Sequence, residues 1–289
     1  MKSCVRRFLA TTAMLIAAGC LAAPEENDNI AGPYVPTPWP IVDELLKLAD
    51  IGPQDVVYDL GSGDGRLVIA AAKRFGARGV GIELQKPLVE RASAEARLEG
   101  VDGRVKFIQA DLFESHFEDA SVVTLYLLPR FVTRLVPRLR SELKPGSRIV
   151  SHDYPLAPWT PDKTLSFEVD EKEPITGSKR TVLYYYVVPA PVSGAWEVSP
   201  PATIAERPMM LEFRQDVEVL EGVAKLGAIR MPLRDPVVRG ESIRFGLFAR
   251  GRLLAFTGRV SAGAMDGEVS APGSGVRERW SARRVPPAR

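Results

Sequence analysis

Residues Val56 to Arg66 read VVYDLGSGDGR, and this stretch leaves the chain little choice of fold. An apolar run with an aromatic, Val56-Val57-Tyr58, predicts a buried parallel strand, and it stops at an acid followed by glycines at alternate positions, Gly61, Gly63 and Gly65. Glycine accepts φ > 0 and carries no Cβ. A loop built this way turns sharply and brings backbone N–H groups close to a ligand, beside the positive end of the helix that follows. A strand, a glycine hinge and a helix in succession therefore predict an α/β fold with a cradle for an anionic or dipolar small molecule.

The register of the glycines narrows the ligand. A dinucleotide site needs G-x-G-x-x-G, with a glycine where this chain has Arg66, and a P-loop needs a Lys and a Ser or Thr that do not follow Gly65. Asp59 precedes the loop and Asp64 lies inside it, and both would repel a pyrophosphate. A ligand with an ammonium and a sulfonium suits these carboxylates better, which is a description of S-adenosylmethionine. The stretch resembles motif I of class I methyltransferases, so Asp59, Gly61, Ser62 and Gly63 are expected to bind that cofactor.

Two more strand ends carry acids. ARGVGIEL predicts a second short strand ending at Glu83, where a carboxylate can accept bonds from both ribose hydroxyls. RVKFIQADLFE predicts a third with Asp111 at its exit, and there class I methyltransferases have an acid that accepts from the adenine amino group, with Leu112 as the apolar contact to the ring. A strand-terminal Asp also caps turns, so Asp111 has that second reading. Strand ends of open α/β sheets line one crevice, and Asp59, Glu83 and Asp111 are expected to share it.

SVVTLYLLP, from Ser121 to Pro129, predicts the fourth strand, and the resemblance to class I methyltransferases implies that its end presents Tyr126 near the transferring methyl. Tyr126 either orients an acceptor nitrogen or packs as a strand aromatic. After a helix from Arg130 to Leu143, SRIVSHDY predicts the fifth strand. Ser151, His152 and Asp153 are not a triad, because neighbours on a strand face opposite ways. His152 remains a candidate base or contact residue on the acceptor side. Lys163 to Val169 and Thr181 to Val188, joined by a polar turn around Glu171 to Lys179, predict an antiparallel sixth and seventh strand. The expected first domain, residues 41 to 189, is thus a Rossmann-like seven-stranded methyltransferase sheet. With His116 and His152 as the two histidines and no acids at ligand spacing, no metal site is expected.

Upstream, Lys2, Arg6 and Arg7 precede an apolar run, Phe8 to Ala18, and small residues follow, so residues 1 to 23 read as a secretory signal. IAAGC ending at Cys20 resembles a bacterial lipobox, although Ala17 stands where a larger aliphatic is usual. Cleavage before Cys20 leaves a lipid-anchored protein; cleavage after Ala22 or Ala23 leaves a soluble one. The expected location is periplasmic or lipid-anchored in the cell envelope, or cytoplasmic if this segment is not a working signal. Cys4 and Cys20 are the two cysteines, so no disulfide can form in the mature chain. Residues 24 to 40 read as a polar, then proline-rich linker ahead of an amphipathic helix from Ile41 to Asp50, with Ile41, Leu45 and Leu48 on one face. Thr37 reads either as a cap or turn residue or, by resemblance, as the lead-in element that closes over the methionine end of the cofactor.

Past a Pro and Gly linker, residues 190 to 289 alternate apolar and polar in short segments such as Leu211/Phe213, Val217/Val219, Ile243/Phe245/Leu247 and Leu254/Phe256. They predict a small antiparallel β domain, a barrel or a sandwich. Residues 191 to 289 hold 15 Lys and Arg against 11 Asp and Glu, a modest excess without a clustered aromatic stripe, so no nucleic-acid partner is expected.

Residues 33 to 189 resemble a class I S-adenosylmethionine-dependent methyltransferase, and YVPTP, VVYDLGSGDGR and VSHDY together are similar to bacterial relatives of the ATP-synthase c-subunit lysine methyltransferases. The resemblance implies methyl transfer from S-adenosylmethionine to a protein or small-molecule nucleophile, a protein lysine among the candidates. Two other readings stand beside it: a non-catalytic envelope protein that keeps the fold as a binding module, and an aminopropyltransferase, whose acid-rich polyamine signature is absent.

Overall fold

The computed structural model describes residues 34–201, 204, 208–216, 219–271, 273 and 277–286. The expected signal, Cys20, the start of the linker and Val217 lie outside these residues.

The order of elements follows the sequence patterning closely. Helix α1 (Trp39–Leu48) leads into strand β1 (Val56–Leu60), helix α2 (Arg66–Phe75), β2 (Arg78–Glu83), α3 (Lys86–Leu98), β3 (Val105–Gln109) and β4 (Val122–Leu125). Then come α4 (Pro129–Glu142), β5 (Arg148–His152), β6 (Lys163–Glu168), the short α5 (Glu173–Thr176) and β7 (Arg180–Val187). Apolar spacing puts Ile41, Val42, Leu45 and Leu46 of α1 in the core. Helix α2 stops at Gly76, whose φ of 71° is the left-handed cap that glycine takes without a Cβ clash. Strand β2 is lean for a reason: a Cβ at Gly79 would lie 2.4 Å from Val68 of α2, so the missing side chain lets helix and sheet approach.

These strands form one sheet in the order β3-β2-β1-β4-β5-β7-β6. Strands β1 to β5 run parallel, and β7 inserts antiparallel between β5 and β6. Strand order reverses between β1 and β4, so a crevice opens above their carboxyl ends.

The second half is a barrel, which decides between the two architectures the alternation allowed. Its strands are β8 (Gly194–Ser199), β9 (Met209–Asp216), β10 (Val219–Leu226), β11 (Ile229–Pro232), β12 (Arg234–Arg239), β13 (Ser242–Ala249), β14 (Arg252–Ser261), β15 (Ala264–Ser270) and β16 (Arg277–Arg284). Neighbours pair antiparallel from β12 round to β9, and β9 with β10 closes a ring of eight, with β11 folded back on β10. Inward residues fill the lumen: Phe245 stacks on Phe256 at 4.8 Å, and Trp280 meets both edge-on.

The barrel is seated at the amino ends of the parallel strands, away from the crevice. Ala190 N–H donates to the Gly240 carbonyl at 2.7 Å, Arg239 pairs with Asp162 at 2.8 Å, and a Cβ on Gly240 would lie 3.3 Å from Gly146 Cα, just ahead of β5.

Candidate active site

The glycine loop is built as its sequence suggests. Gly61, Gly63 and Gly65 have φ of 85°, 54° and 78°, and a Cβ on Gly61 would lie 2.8 Å from Leu127, while one on Gly63 would lie 2.5 Å from the Tyr34 ring. The loop is also braced from below, because the Gly61 and Ser62 N–H groups donate to the Ile82 carbonyl.

Asp59, Glu83 and Asp111 do stand at the ends of adjacent strands β1, β2 and β3. Asp59 is buried and accepts one bond, from Thr124 Oγ1 at 2.6 Å. Burial raises its pKa to about 7, and the charges of Glu83 and Asp64 add to this against the Thr124 bond. Glu83 accepts from the Gly63 N–H and from the Gln85 N–H, both at 2.9 Å, so it ties the glycine loop to β2. Asp111 Oδ1 accepts from the Phe113 N–H at 2.8 Å, so its turn-capping reading is realised, while Leu112 is buried in the core beside it.

A clamp that sequence reasoning missed crosses this loop. Arg66, at the place where a dinucleotide fold needs glycine, holds both oxygens of Asp64 and donates to the Thr37 carbonyl at 2.8 Å. Burial works against the Asp64 charge, yet the Arg66 bonds and charge hold its pKa below the usual range. Trp39 lies against the same guanidinium at 5.5 Å. Thr37 is therefore not a helix cap: Pro38 holds that position and makes no side-chain bond, while Thr37 is buried and its backbone is strapped to the loop. The lead-in YVPTP thus closes over the glycines through Tyr34 and Thr37.

At the ends of β4 and β5 lies a second group. Tyr126 and His152 lie against each other with centroids 3.9 Å apart and ring planes tilted by 31°, and His152 is buried with neither ring nitrogen hydrogen-bonded among the described residues. Burial pushes His152 down to about 4, so it is neutral at neutral pH. Burial first, and then the Asp153 charge, raise the Tyr126 hydroxyl above its ordinary value. The expected polar turn after β6 differs from a solvated loop. Lys172 points inward, 3% exposed, and its Nζ donates to Asp153 Oδ2 at 2.6 Å and to the Arg180 carbonyl. Nothing in its polar sequence neighbourhood signals this.

The pocket fits S-adenosylmethionine on its own chemistry. Asp59 and Glu83 stand at strand ends beside the glycine cradle, Glu83 bonded to the Gly63 N–H, and the buried Ser62 Oγ in the cradle has no hydrogen-bond partner among the described residues. Among the described residues no group of three or more His, Cys, Asp or Glu gathers to hold a metal ion, and no helix is long and apolar enough to cross a membrane.

Comparison with known proteins agrees with this geometry. Residues 59–163 match the family described as ANTKMT methyltransferase domain. A protein-lysine N-methyltransferase from Saccharolobus islandicus is 38% identical over 157 residues, which are 54% of this chain and 93% of that protein. The chain belongs to the S-adenosylmethionine-dependent methyltransferases. The crystal structure of an RNA methyltransferase from Salinibacter ruber in complex with S-adenosyl-L-homocysteine shares 46% identity with this methyltransferase at a TM-score of 0.50, covering 55% of this chain and 96% of that one. The lysine N-methyltransferase of the ATP synthase c-subunit from Rattus norvegicus is 38% identical over 48% of this chain and 63% of its own length. The family match ends at residue 163, ahead of the barrel.

Proposed function

We propose that this methyltransferase acts on the ε-amino group of a protein lysine. S-adenosylmethionine, when bound, supplies an electrophilic methyl carbon on a sulfonium. Asp59, Glu83 and Asp111 would hold it at the three strand ends, and Tyr34 and Thr37 would cover it.

The observation that carries the lysine reading is the neutral wall at the ends of β4 and β5. A lysine can act as a nucleophile only after losing its proton, and a nearby free carboxylate would hold the proton on. Here Asp153 is already compensated by Lys172, and the remaining wall is Tyr126 over a neutral His152. Such a wall favours the uncharged amine by desolvation, the change that methyl transfer needs. Tyr126, half-buried, can meet the acceptor, while His152 lies beneath and sets its position. The relatives named for lysine methylation support the same reading. A second reading, an RNA acceptor, is favoured by the Salinibacter structure and by exposed Arg130 and Arg134, which lie over Phe131 and Phe113. The export reading of residues 1 to 23 adds the proposal that the acceptor is an envelope protein.

The test is labelled-methyl transfer to envelope protein, cytosolic protein and total RNA side by side. Acid-stable label recovered as methyl-lysine is the expected result, and it should fall sharply in Tyr126→Ala. Label confined to RNA would overturn the lysine reading.

A further inference from the structure

The topology fixes which ends of the barrel strands lie together. The β12–β13 turn at Gly240 sits against the methyltransferase sheet, so the β10–β11 and β13–β14 hairpin tips project from the opposite end. These two tips combine exposed apolar side chains with arginines. Ile229, Phe248 and Leu253 are 60%, 58% and 43% exposed, and Phe248 pairs directly across the hairpin with Leu253. Arg230, Arg250 and Arg252 lie among them, all exposed. Neither hairpin segment, residues 226 to 234 or 244 to 254, contains an Asp or Glu.

The β13–β14 turn adds an independent observation. Arg250 and Gly251 have φ of 51° and 76°, the two left-handed positions of a two-residue hairpin turn. Asn, Asp or Gly normally fills the first of these. An Arg there costs conformational energy. It sets an arginine in the two-residue turn that joins the strands carrying Phe248 and Leu253.

We propose that this end of the barrel is a docking surface for an anionic lipid membrane. Aliphatic and aromatic side chains at loop tips enter the region of the acyl chains, while arginines beside them reach the phosphate headgroups. Charge complementarity selects the occupant: the charged residues of these two hairpin segments are all arginines, Arg230 reaching Glu212 of β9 at 4.0 Å, and a patch that joins them to exposed apolar tips suits negative lipid. Two of the three exposed apolar residues are aliphatic and offer no stacking face, which sets the patch apart from a single-stranded nucleic-acid platform. The surface lies at the far end of the barrel from the seam with the sheet, so docking leaves the cofactor crevice open.

The full chain is sedimented with vesicles of phosphatidylcholine alone and of phosphatidylcholine mixed with phosphatidylglycerol, and its binding to polyuridylate is measured in parallel. Partitioning onto the mixed vesicles, weakened by salt, is the expected result. Each arginine near such a surface contributes about fivefold, so Arg250→Gln with Arg252→Gln should lower partitioning by about 25-fold. Phe248→Ser with Leu253→Ser should lower it as well, and Arg252→Gln and Phe248→Ser are tested singly. An unchanged urea transition followed by tryptophan fluorescence, to which Trp280 inside the barrel contributes, shows that each variant is folded, and retained binding of S-adenosylmethionine separates failure of the surface from failure of the methyltransferase site. Equal binding to both vesicle types, binding that survives both double substitutions because another segment holds the membrane, or capture of polyuridylate but not vesicles would each overturn the proposal.

Discussion

Asp59→Asn should make the protein more stable and less able to bind its cofactor, and pH should govern the first effect. Burial raises Asp59 from 3.8 to about 7 in the folded chain. Below 3.8 the carboxyl is protonated folded or unfolded and its contribution to stability is fully present. As pH rises, the unfolded chain releases the proton first, so stability falls until the folded group ionises near 7. A separation of about three pH units corresponds to roughly 4 kcal/mol. Asparagine is isosteric, can still accept from Thr124 Oγ1, and has no charge to desolvate. The variant should therefore match wild type in strong acid, gain about 2 kcal/mol at about pH 5 and about 4 kcal/mol at about pH 8. Urea unfolding of both proteins across this range, followed by circular dichroism, measures the gap. Calorimetric titration with S-adenosylmethionine near neutrality, in two buffers of different ionisation enthalpy, should show proton release on binding to wild type and none with the variant. A variant less stable than wild type at pH 8, or a gap that ignores pH, would refute the claim that Asp59 is held against its own charge.

Glu83→Gln keeps an acceptor for the Gly63 N–H but loses the charge, and should weaken cofactor binding by about 1–3 kcal/mol in the same titration. Arg66→Lys cannot hold both Asp64 oxygens and the Thr37 carbonyl together. It should loosen the lead-in, seen as faster limited proteolysis between Tyr34 and Pro38 and a weaker cofactor affinity. Gly61→Ala meets Leu127 as well as an unfavourable φ and should cost about 1–3 kcal/mol in urea unfolding, more than Gly100→Ala, whose added methyl meets nothing within 4 Å.

The parts of this fold that were readable in the sequence are those fixed by short-range chemistry. VVYDLGSGDGR sets strand, turn and helix by local rules, and the acids at 59, 83 and 111 fall at strand ends because the apolar runs stop there. The final antiparallel pair was readable from alternation in Lys163 to Val169 and Thr181 to Val188. The unread parts depend on partners distant in the chain. Arg66 looked like a residue that merely spoiled a dinucleotide motif; its role comes from Thr37 and Trp39, which approach only when the lead-in folds back. Lys172 sits in a stretch of charges that reads as solvated, and only the position of Asp153 after β5 draws it inward. Barrel and sandwich share one alternation pattern, and the difference rests on the β9–β10 register, Val219 opposite Asp216 through Lys225 opposite Met210.

Closure of that ring bears on how the protein keeps to itself. A strand with one bare side is a template for pairing with another chain, and in a closed ring the strands cover one another. Among the described residues, three strands pair on one side only: β3, β6 and β11. Each is short, at five, six and four residues. Lys106 sits within β3, Lys163 and Glu168 end β6, and β11 finishes in Pro232, which has no N–H to offer. The described residues can hold sixteen strands and still present an incoming strand with nowhere long, flat and uncharged to add itself.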